Sequence, residues 1–310
     1  MSEKGQQKMY VAISAYEHDN LVQTLLDCRN SADNPEDIVF GVAIKYKENP
    51  DFSAIKNYFK VKNDTSDYSN DVMPGSIQVN KGLLEMVDQE DYILKIAPGY
   101  KFKSGWDTAL KNDIEELGKY GKFIISGHIL GDNVNNSIYT KWSMSKDYEQ
   151  FDFTSTPEVD LDHTTNNKMV NDKYFKNWFV NSRFFFTKTS WIRDVKVPTY
   201  HRSAWEDQEL SIATYCYGYD AVSPTKSNSY IFMGNYPETG KNRMEDAENS
   251  KSNVVKLLIR GKNRLFDVTG AIRPIEDFYK EIGLEDTHKI MKAEMDQWIY
   301  DIANDIRIKN

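Results

Sequence analysis

The chain has 310 residues, of which 40% are hydrophobic and 28% are charged, and its formal net charge at pH 7 is −8. This length and composition are typical of a globular protein with a large core in one extended domain or two closely packed ones. The acidic balance argues against a broad basic surface for polyanions, and the absence of any 18-residue apolar run argues against a transmembrane helix.

The cysteine content and the first residues indicate the compartment. Only Cys28 and Cys216 occur, both in apolar surroundings, so a disulfide framework is not expected. The opening residues are polar and contain no apolar signal-peptide core. We therefore expect a reducing, cytoplasmic location and no association with a membrane.

The first 130 residues alternate short apolar runs with segments of helical spacing. The runs predict strands at residues 10–14, 38–44, 92–96 and 123–126, and the spacing predicts helices at residues 21–28, 77–87 and 106–117. This order predicts an α/β fold with a doubly wound, mixed but mainly parallel sheet and helices on both faces. Ligands bind beyond the carboxyl ends of such strands, so residues 14–17, 45–46 and 97–100 are candidates for ligand contact.

Residues 133–189 break this pattern and predict an irregular insertion rich in aromatic side chains. Its rings are Trp142, Tyr148, Phe151, Phe153, Tyr174, Phe175, Trp178, Phe179, Phe184, Phe185 and Phe186. They either pack a second small layer or line an acceptor cleft, and the sequence does not separate the two interpretations. Residues 238–253 predict an exposed loop. A stripe of apolar residues at helical spacing over 290–306 predicts a terminal helix that packs on its own domain.

Two adjacent acids, Glu206 and Asp207, follow Trp205 and open a segment with helical spacing. The first turn of a helix can direct such a carboxylate into a cleft, where it can accept a proton from an attacking hydroxyl as a general base. The alternative is a helix N-cap, because acids near a helix start are favoured by the backbone dipole. The sequence leaves both interpretations open.

Five segments in order resemble a known family. They read Y-V-A-I-S-A-Y-E-H-D-N-L, then G-S-I-Q-V-N-K-G-L-L, Y-K-F-K-S-G-W-D, V-P-T-Y-H-R-S-A-W-E-D-Q-E-L and G-A-I-R-P-I-E-D-F-Y-K-E-I-G-L. Together they resemble the nucleotide-sugar-dependent, GlcNAc-transferase-like glycosyltransferases of the GT-A fold, whose eukaryotic members modify a hydroxyproline on a cytoplasmic ubiquitin-ligase adaptor. The resemblance implies a nucleotide-sugar-binding half over 1–132, an acceptor-side half over 133–235 and a C-terminal segment over 236–310.

The resemblance also implies roles for individual residues. The donor-binding positions correspond to Ser14, Ala15, Tyr16, Asn80 and Lys81, and Lys45 is a further candidate from its place at the carboxyl end of a strand. Glu206 and Asp207 correspond to paired acids that face the acceptor, and Trp205 with His201 would contact the acceptor. Trp106 and Asp107 match a G-W-D turn that closes the donor side, although a Trp after Gly also commonly anchors a loop.

The sequence departs from this family at its metal-binding motif. The family's Asp-x-His or Asp-x-Asp is replaced by Ala97, Pro98 and Gly99, and a family His expected within residues 230–233 is absent. Because hard cations require oxygen ligands, we expect no metal cofactor. The countercharge for the diphosphate would then come from a cation near the motif or the paired acids. The candidates are Lys101, Lys103 and Arg202.

Two functions of different class follow. The first is a metal-independent transferase that moves a sugar from a nucleotide donor to a hydroxyl on a macromolecule. The second is a degenerate relative that binds a glycan, a nucleotide or a partner without turnover. The family implies a protein acceptor, whereas a composition rich in Asn, Lys, Asp, Tyr and Ile is typical of an AT-rich phage or bacterium. In a phage the acceptor would be a hydroxymethylated DNA base flipped out of the duplex, although the acidic charge counts against DNA.

Overall fold

The computed structural model describes residues 7–16, 20–45, 51–63, 87–129, 138–144, 151–157, 169–195, 206–226, 229–234 and 267–286, with Lys289, Lys292 and Ala293. Within these residues the strands are β1 (Met9–Tyr16), β2 (Ile38–Lys45), β3 (Phe59–Asn63), β4 (Tyr92–Ile96), β5 (Tyr100–Phe102), β6 (Lys122–Ser126), β7 (Ile138–Met144), β8 (Phe151–Pro157), β9 (Tyr174–Lys176), β10 (Phe185–Lys188), β11 (Tyr219–Pro224) and β12 (Ile231–Met233). The α-helices are α1 (Leu21–Asn30), α2 (Trp106–Leu117), α3 (Ser190–Asp194), α4 (Glu206–Cys216) and α5 (Ile275–Glu281).

The central sheet is mixed and mainly parallel. Its order is β3-β2-β1-β4-β10-β6-β11-β9. Strands β1 to β4 are mutually parallel, β11 is parallel to β6, and β10 and β9 are antiparallel to their neighbours. The α/β prediction is confirmed, and the predicted strands are present with ends that differ by one or two residues. The helix predicted over residues 106–117 is α2.

Strand β10 joins the two parallel groups and fixes what lies at the carboxyl edge of the sheet. It runs antiparallel to both neighbours, so its first residue pairs with residues near their ends. Phe185 pairs with Lys95 of β4 and with Ser126 of β6. The chain that enters β10 therefore lies at the edge where the parallel strands end, which is the edge at which ligands bind in such sheets.

Helices cover both faces of the sheet, as predicted. Along β1, Val11 and Ile13 belong to the core that also contains side chains of α1 and α2, whereas Tyr10 and Ala12 belong to the core that contains side chains of α4 and α5. This alternation follows from the two-residue period of a strand. None of the helices in the described part of the chain is both long and apolar enough to cross a membrane.

The aromatic segment is largely structural where it is described. Its buried rings are Tyr174, Phe175, Trp178, Phe179, Phe184, Phe185 and Phe186. All of them except Phe175 belong to the two cores on either side of β10. Strands β7 and β8 carry Trp142, Phe151 and Phe153 in a separate antiparallel pair, and their side chains lie outside the description. Residues 77–86, Tyr148, residues 238–253 and the apolar stripe of 290–306 also lie outside the described residues.

A buried polar cluster ties α2 to β9 and to the residue before β12. Asp113 of α2 accepts a hydrogen bond of 2.8 Å from the Tyr174 hydroxyl and another from the Tyr230 hydroxyl, and Lys173 Nζ lies 3.2 Å from its second oxygen. Burial raises the pKa of both phenols, so both stay protonated and donate. Tyr230 directly precedes β12, which is thereby held beside β5.

Candidate active site

The carboxyl edge of the sheet brings together several predicted donor-binding positions. Ile13 pairs with Ile96, so residues 14–16 of β1 continue past the end of β4 beside the Ala97 segment. Tyr16 in turn pairs with Lys45 of β2. For Ser14, Tyr16 and Lys45 the structure describes the backbone only, whereas the side chain of Ala15 is buried. These positions share one edge, and their contact with a donor stays a prediction.

Residues 97–99 form a tight backbone turn between β4 and β5. Gly99 has a φ of 89°, in the left-handed region that favours glycine. Its N–H donates to Thr24 Oγ1 at 2.8 Å, and its carbonyl oxygen accepts the N–H of Gly234 at 3.0 Å. The end of β12 therefore lies directly against this turn. The backbone polar groups of Gly99 are already used within the fold.

The residues at this turn do not fit a divalent cation. Hard cations take carboxylate and carbonyl oxygens, often with water. Ala97 and Pro98 carry no side-chain donor, and the neighbouring β12 reads Ile-Phe-Met. Within the described ranges no group of three or more His, Cys, Asp and Glu residues is placed to hold a metal ion. The chemistry of the residues that replace the family motif therefore disagrees with a metal at this position.

The contact between Gly234 and Gly99 makes a testable prediction. A Cβ at residue 234 would lie 2.7 Å from the Gly99 carbonyl oxygen, which is backbone and cannot swing away. We expect Gly234→Ala to weaken the pairing of β5 with β12 and to lower the free energy of unfolding by about 1–3 kcal/mol, the usual effect of overpacking. Chemical denaturation measures the change. Gly118→Ala is the control, because Gly118 is exposed and has a φ of −56°. Equal stability of the two variants would contradict the described contact.

Asp207 lies in the first turn of α4 and bonds to a distant segment at the same edge. Its Oδ1 accepts the N–H of Ser182 at 2.7 Å. Ser211, one turn further along the helix, donates its hydroxyl to the Asp207 carbonyl and accepts the N–H of Val180 at 2.8 Å. The start of α4 is thus fixed against residues 180–182, just before β10. A helix cap alone would not make this tertiary contact. For Glu206 the structure describes the backbone only.

The segment that hydrogen-bonds to Asp207 is a turn, and hydrogen bonds to several elements fix its position. Phe184 N–H donates to the Asn181 carbonyl at 3.0 Å, which closes a β-turn over residues 181–184. The side chain of Asn181 accepts the N–H of Arg183 at 2.8 Å and donates to the Gly127 carbonyl at 3.2 Å. Ser126 Oγ accepts the N–H of Asn181 at 2.8 Å. This turn, named here the 181–184 turn, therefore has a fixed position between α4 and the end of β6.

The residues around the turn are buried and partly strained. Trp178 has a φ of 46°, which is unusual for a bulky residue and shows that its surroundings fix its backbone. His128 stacks on Phe179 with ring centroids 5.3 Å apart. Burial lowers the pKa of His128 below its ordinary value, so its imidazole is neutral near pH 7. No fixed positive charge comes from this histidine.

Trp106 and Asp107 are structural and lie at the opposite edge. The indole N–H of Trp106 donates to the Cys28 carbonyl at 2.8 Å. Asp107 is fully buried and accepts the N–H groups of Asp33 and Asn34 at 2.8 and 3.1 Å. Those residues precede β2, whose first residue pairs with the first residue of β1. Of the two interpretations of the G-W-D turn, these contacts support the loop anchor, because β5 carries the chain away from the carboxyl edge before α2 begins.

The two predicted cations that the structure describes, Lys101 and Lys103, differ in their distance from the carboxyl edge. Lys101 is exposed on β5, two residues after Gly99, and stays close to the edge. Lys103 lies four residues after Gly99, roughly 13 Å further along an extended chain, and its carbonyl accepts the N–H of Trp106 at the start of α2. Its position does not suit a role at the edge. The remaining predicted positions lie outside the described residues, and they are Asn80, Lys81, His201, Arg202 and Trp205.

One cation at this edge was not predicted from the sequence. Arg183 occupies the 181–184 turn and is exposed. It follows no recognisable motif, and its neighbours in sequence are a polar pair and three phenylalanines. Only the antiparallel course of β10 brings it to the carboxyl edge. The signal that could have indicated it is a single arginine at the polar start of an apolar strand.

Comparisons with known proteins agree with this architecture. Among solved structures, S. aureus TarS 1-349 in complex with UDP-GlcNAc superposes with a TM-score of 0.54 at 13% identity, over 85% of this chain and 69% of that one. The same protein in complex with UDP gives 0.51 at 12% identity, over 94% and 92% of the two chains. GalNAc-T7 with UDP, GalNAc and Mn²⁺ gives 0.60 at 11% identity, over 97% of this chain and 58% of that one. At these identities the likeness shows the fold. A comparison with curated protein sequences gave no match.

The fold is GT-A-like. The model of the Glycosyltransferase (GlcNAc) family matches residues 84–264, more than half of the chain. The chain belongs to that family. The match includes the altered motif at residues 97–99, the 181–184 turn and Asp207.

Proposed function

We propose that this protein transfers a sugar from a nucleotide-sugar donor to a hydroxyl group on a macromolecule, with Asp207 as the general base. The observation that carries the proposal is the placement of Asp207 at the carboxyl edge, bonded to Ser182 beside the ends of β4 and β6. A carboxylate offers two oxygens, and the bond from Ser182 fixes the orientation of the group. Family membership supports the reaction class.

The acceptor oxygen forms a bond to the anomeric carbon of the sugar, and its proton passes to the Asp207 carboxylate. The bond from that carbon to the diphosphate oxygen breaks, and its electron pair leaves with the nucleoside diphosphate. Negative charge therefore grows on the leaving group, and a cation at the edge lowers the barrier.

The donor is proposed to be a UDP-sugar. TarS was crystallised with UDP-GlcNAc and GalNAc-T7 with UDP and GalNAc, and both share this fold. The test is a screen of nucleotide sugars for hydrolysis and for transfer to peptides that contain hydroxyproline and to DNA that contains hydroxymethylated bases. Turnover of one donor supports the proposal, and the acceptor that gains the label identifies the hydroxyl. A protein that binds donors but turns none over would be the degenerate relative.

The replaced motif at residues 97–99 supports the second candidate function, a degenerate relative that binds a nucleotide without turnover. Ala97, Pro98 and Gly99 offer no oxygen ligand beyond the backbone, and GalNAc-T7, which shares the fold, was crystallised with Mn²⁺. If loss of the metal site has removed catalysis, the protein retains a nucleotide-binding edge without turnover. The two candidates differ in one measurable quantity, the rate of donor hydrolysis with the metal chelated.

Chelation provides a prediction of its own. We expect turnover to persist in excess EDTA, because the residues described at the 97–99 turn have no carboxylate that would hold a cation against the diphosphate. The assay compares donor hydrolysis in EDTA with hydrolysis after manganese or magnesium is added back. Loss of turnover in EDTA and recovery with either ion would contradict the prediction.

A further inference from the structure

We propose that Arg183 supplies the positive charge that faces the diphosphate leaving group, at the place where the family's metal-binding acid is replaced by Ala97. This inference rests on the proposed function, because it assigns a charge to the leaving group of that reaction. It begins from the chemistry of the edge. The 97–99 turn has no anionic side chain, and its Gly99 amide already donates to Thr24. The countercharge must therefore come from a neighbouring element.

The register of the sheet places the 181–184 turn and the altered motif at the same edge. Phe186 pairs with Leu94 and Phe185 pairs with Lys95, in an antiparallel ladder. Arg183 stands two residues before Phe185 and Ala97 stands two residues after Lys95, so both lie just beyond this pair at the carboxyl edge. Phe184 and Phe186 belong to one core and Phe185 to the other, so the strand-like alternation extends back to Phe184, the residue after Arg183.

The 181–184 turn fixes the backbone of Arg183. Its own N–H donates to Asn181 Oδ1 at 2.8 Å, and the N–H of Ser182 donates to Asp207 Oδ1 at 2.7 Å. Asn181 is itself held by Ser126 and by the Gly127 carbonyl. The backbone of Arg183 is therefore fixed, one residue after Ser182, which binds the proposed base on α4. A charge in a fixed position needs little reorganisation during the reaction.

The guanidinium is available for a ligand. Arg183 is exposed, and it forms no ion pair with any residue that the structure describes. Arg273, by contrast, is paired with Asp220 and lies away from the edge. A guanidinium is always charged, and its planar donors match two oxygens of a phosphate at once. The chemical class that fits it is the diphosphate of a nucleotide.

The experiment measures binding in EDTA by calorimetry. Wild-type protein is titrated with UDP, GDP, ADP, CDP and TDP, and the diphosphate that binds best is compared with its monophosphate. The same pair is then titrated into Arg183→Gln, Arg183→Lys and Lys101→Gln. Arg193→Gln is the matched control, because Arg193 is also exposed but lies on α3, beyond the end of β10 at the opposite edge.

We expect Arg183→Gln to weaken binding of the diphosphate by about ten- to a hundredfold, the usual effect of losing a hydrogen bond to a charged group, while binding of the monophosphate changes little. Arg183→Lys should retain part of the affinity, since it keeps the charge without the planar donors. Arg193→Gln should bind as wild type. Because Arg183 is exposed, all variants should unfold at the wild-type temperature.

Other outcomes overturn the inference in distinguishable ways. If Arg183→Gln binds the diphosphate as wild type does, or if Lys101→Gln alone shows the selective loss, Arg183 is not the cation, and the proposed function still stands. If wild-type binding of the diphosphate appears only with Mn²⁺ and is equal in Arg183→Gln, a metal fills the role instead. If wild-type protein binds no nucleoside diphosphate and hydrolyses no nucleotide sugar, the proposed function fails together with this inference.

Discussion

Replacing Asp207 with asparagine is expected to reduce sugar transfer by at least about a hundredfold, the usual contribution of a general base. Asparagine cannot accept the acceptor's proton at neutral pH, but its amide oxygen can still accept the N–H of Ser182. The 181–184 turn should therefore keep its position. The measurement is the transfer rate at saturating donor, together with the unfolding temperature, which should stay close to that of wild type.

Two further variants complete this test. Glu206→Gln is measured in parallel because the sequence leaves either of the adjacent acids as the base. Asp207→Ala removes the Ser182 contact as well as the proton acceptor, so it should also lower stability. Wild-type transfer rates in both Asp207→Asn and Glu206→Gln would show that the paired acids are not the base and that their role is at the helix start.

Replacing Asp107 with alanine should lower the stability of the protein and leave its transfer rate unchanged. Asp107 is fully buried and accepts two backbone N–H groups and the side-chain amide of Asn34. Alanine would remove the buried acceptor that joins residues 33–34 to α2, at a cost of about 3 kcal/mol in the free energy of unfolding. The transfer rate of the folded protein should not change, because Asp107 lies at the edge of the sheet opposite Asp207.

The measurement is chemical denaturation of Asp107→Ala alongside a transfer assay well below the unfolding temperature. Asp107→Asn is the milder companion, since it keeps one acceptor oxygen and should lose less stability. A transfer rate that falls a hundredfold in stable, folded Asp107→Ala would support the interpretation in which the G-W-D turn closes the donor side. Together, the variants of Asp207 and Asp107 test whether one acid contributes to the transfer rate and the other to the free energy of unfolding.

The sequence predicts the parallel part of the fold well, for a physical reason. Strands buried on both faces read as continuous apolar runs, so residues 38–44 and 92–96 were assigned directly. The position of β10 is different. The run Phe184 to Phe186 has no turn signal that gives its direction, and its pairing partners lie about 60 and 90 residues earlier in the chain. Long-range pairing of this kind leaves little local trace in a sequence.

The sequence predicts part of the candidate site. The rest depends on long-range strand pairing, as the position of β10 does. The pairing of β1 with β4 brings residues 14–16 and the 97–99 segment to one edge, as expected for the ends of parallel strands. The sequence leaves the role of Asp107 open, because its motif follows the altered turn closely in sequence, whereas β5 separates the two in space. The sequence does not indicate Arg183, because its place at the carboxyl edge depends on the course of an antiparallel strand rather than on a motif.

The insertion of β10 between β4 and β6 also shapes how this chain is made. Among the described strands, β6 pairs only with β10 and β11, both of which leave the ribosome after it. At roughly 5–20 residues per second, synthesis takes several seconds to reach β10. During that interval β6 has no strand to pair with, and one side of β4 stays open. Open strand edges are templates for aggregation. The nascent chain therefore cannot complete the carboxyl edge of its sheet until β10 is made, and its folding waits for the turn that carries Arg183.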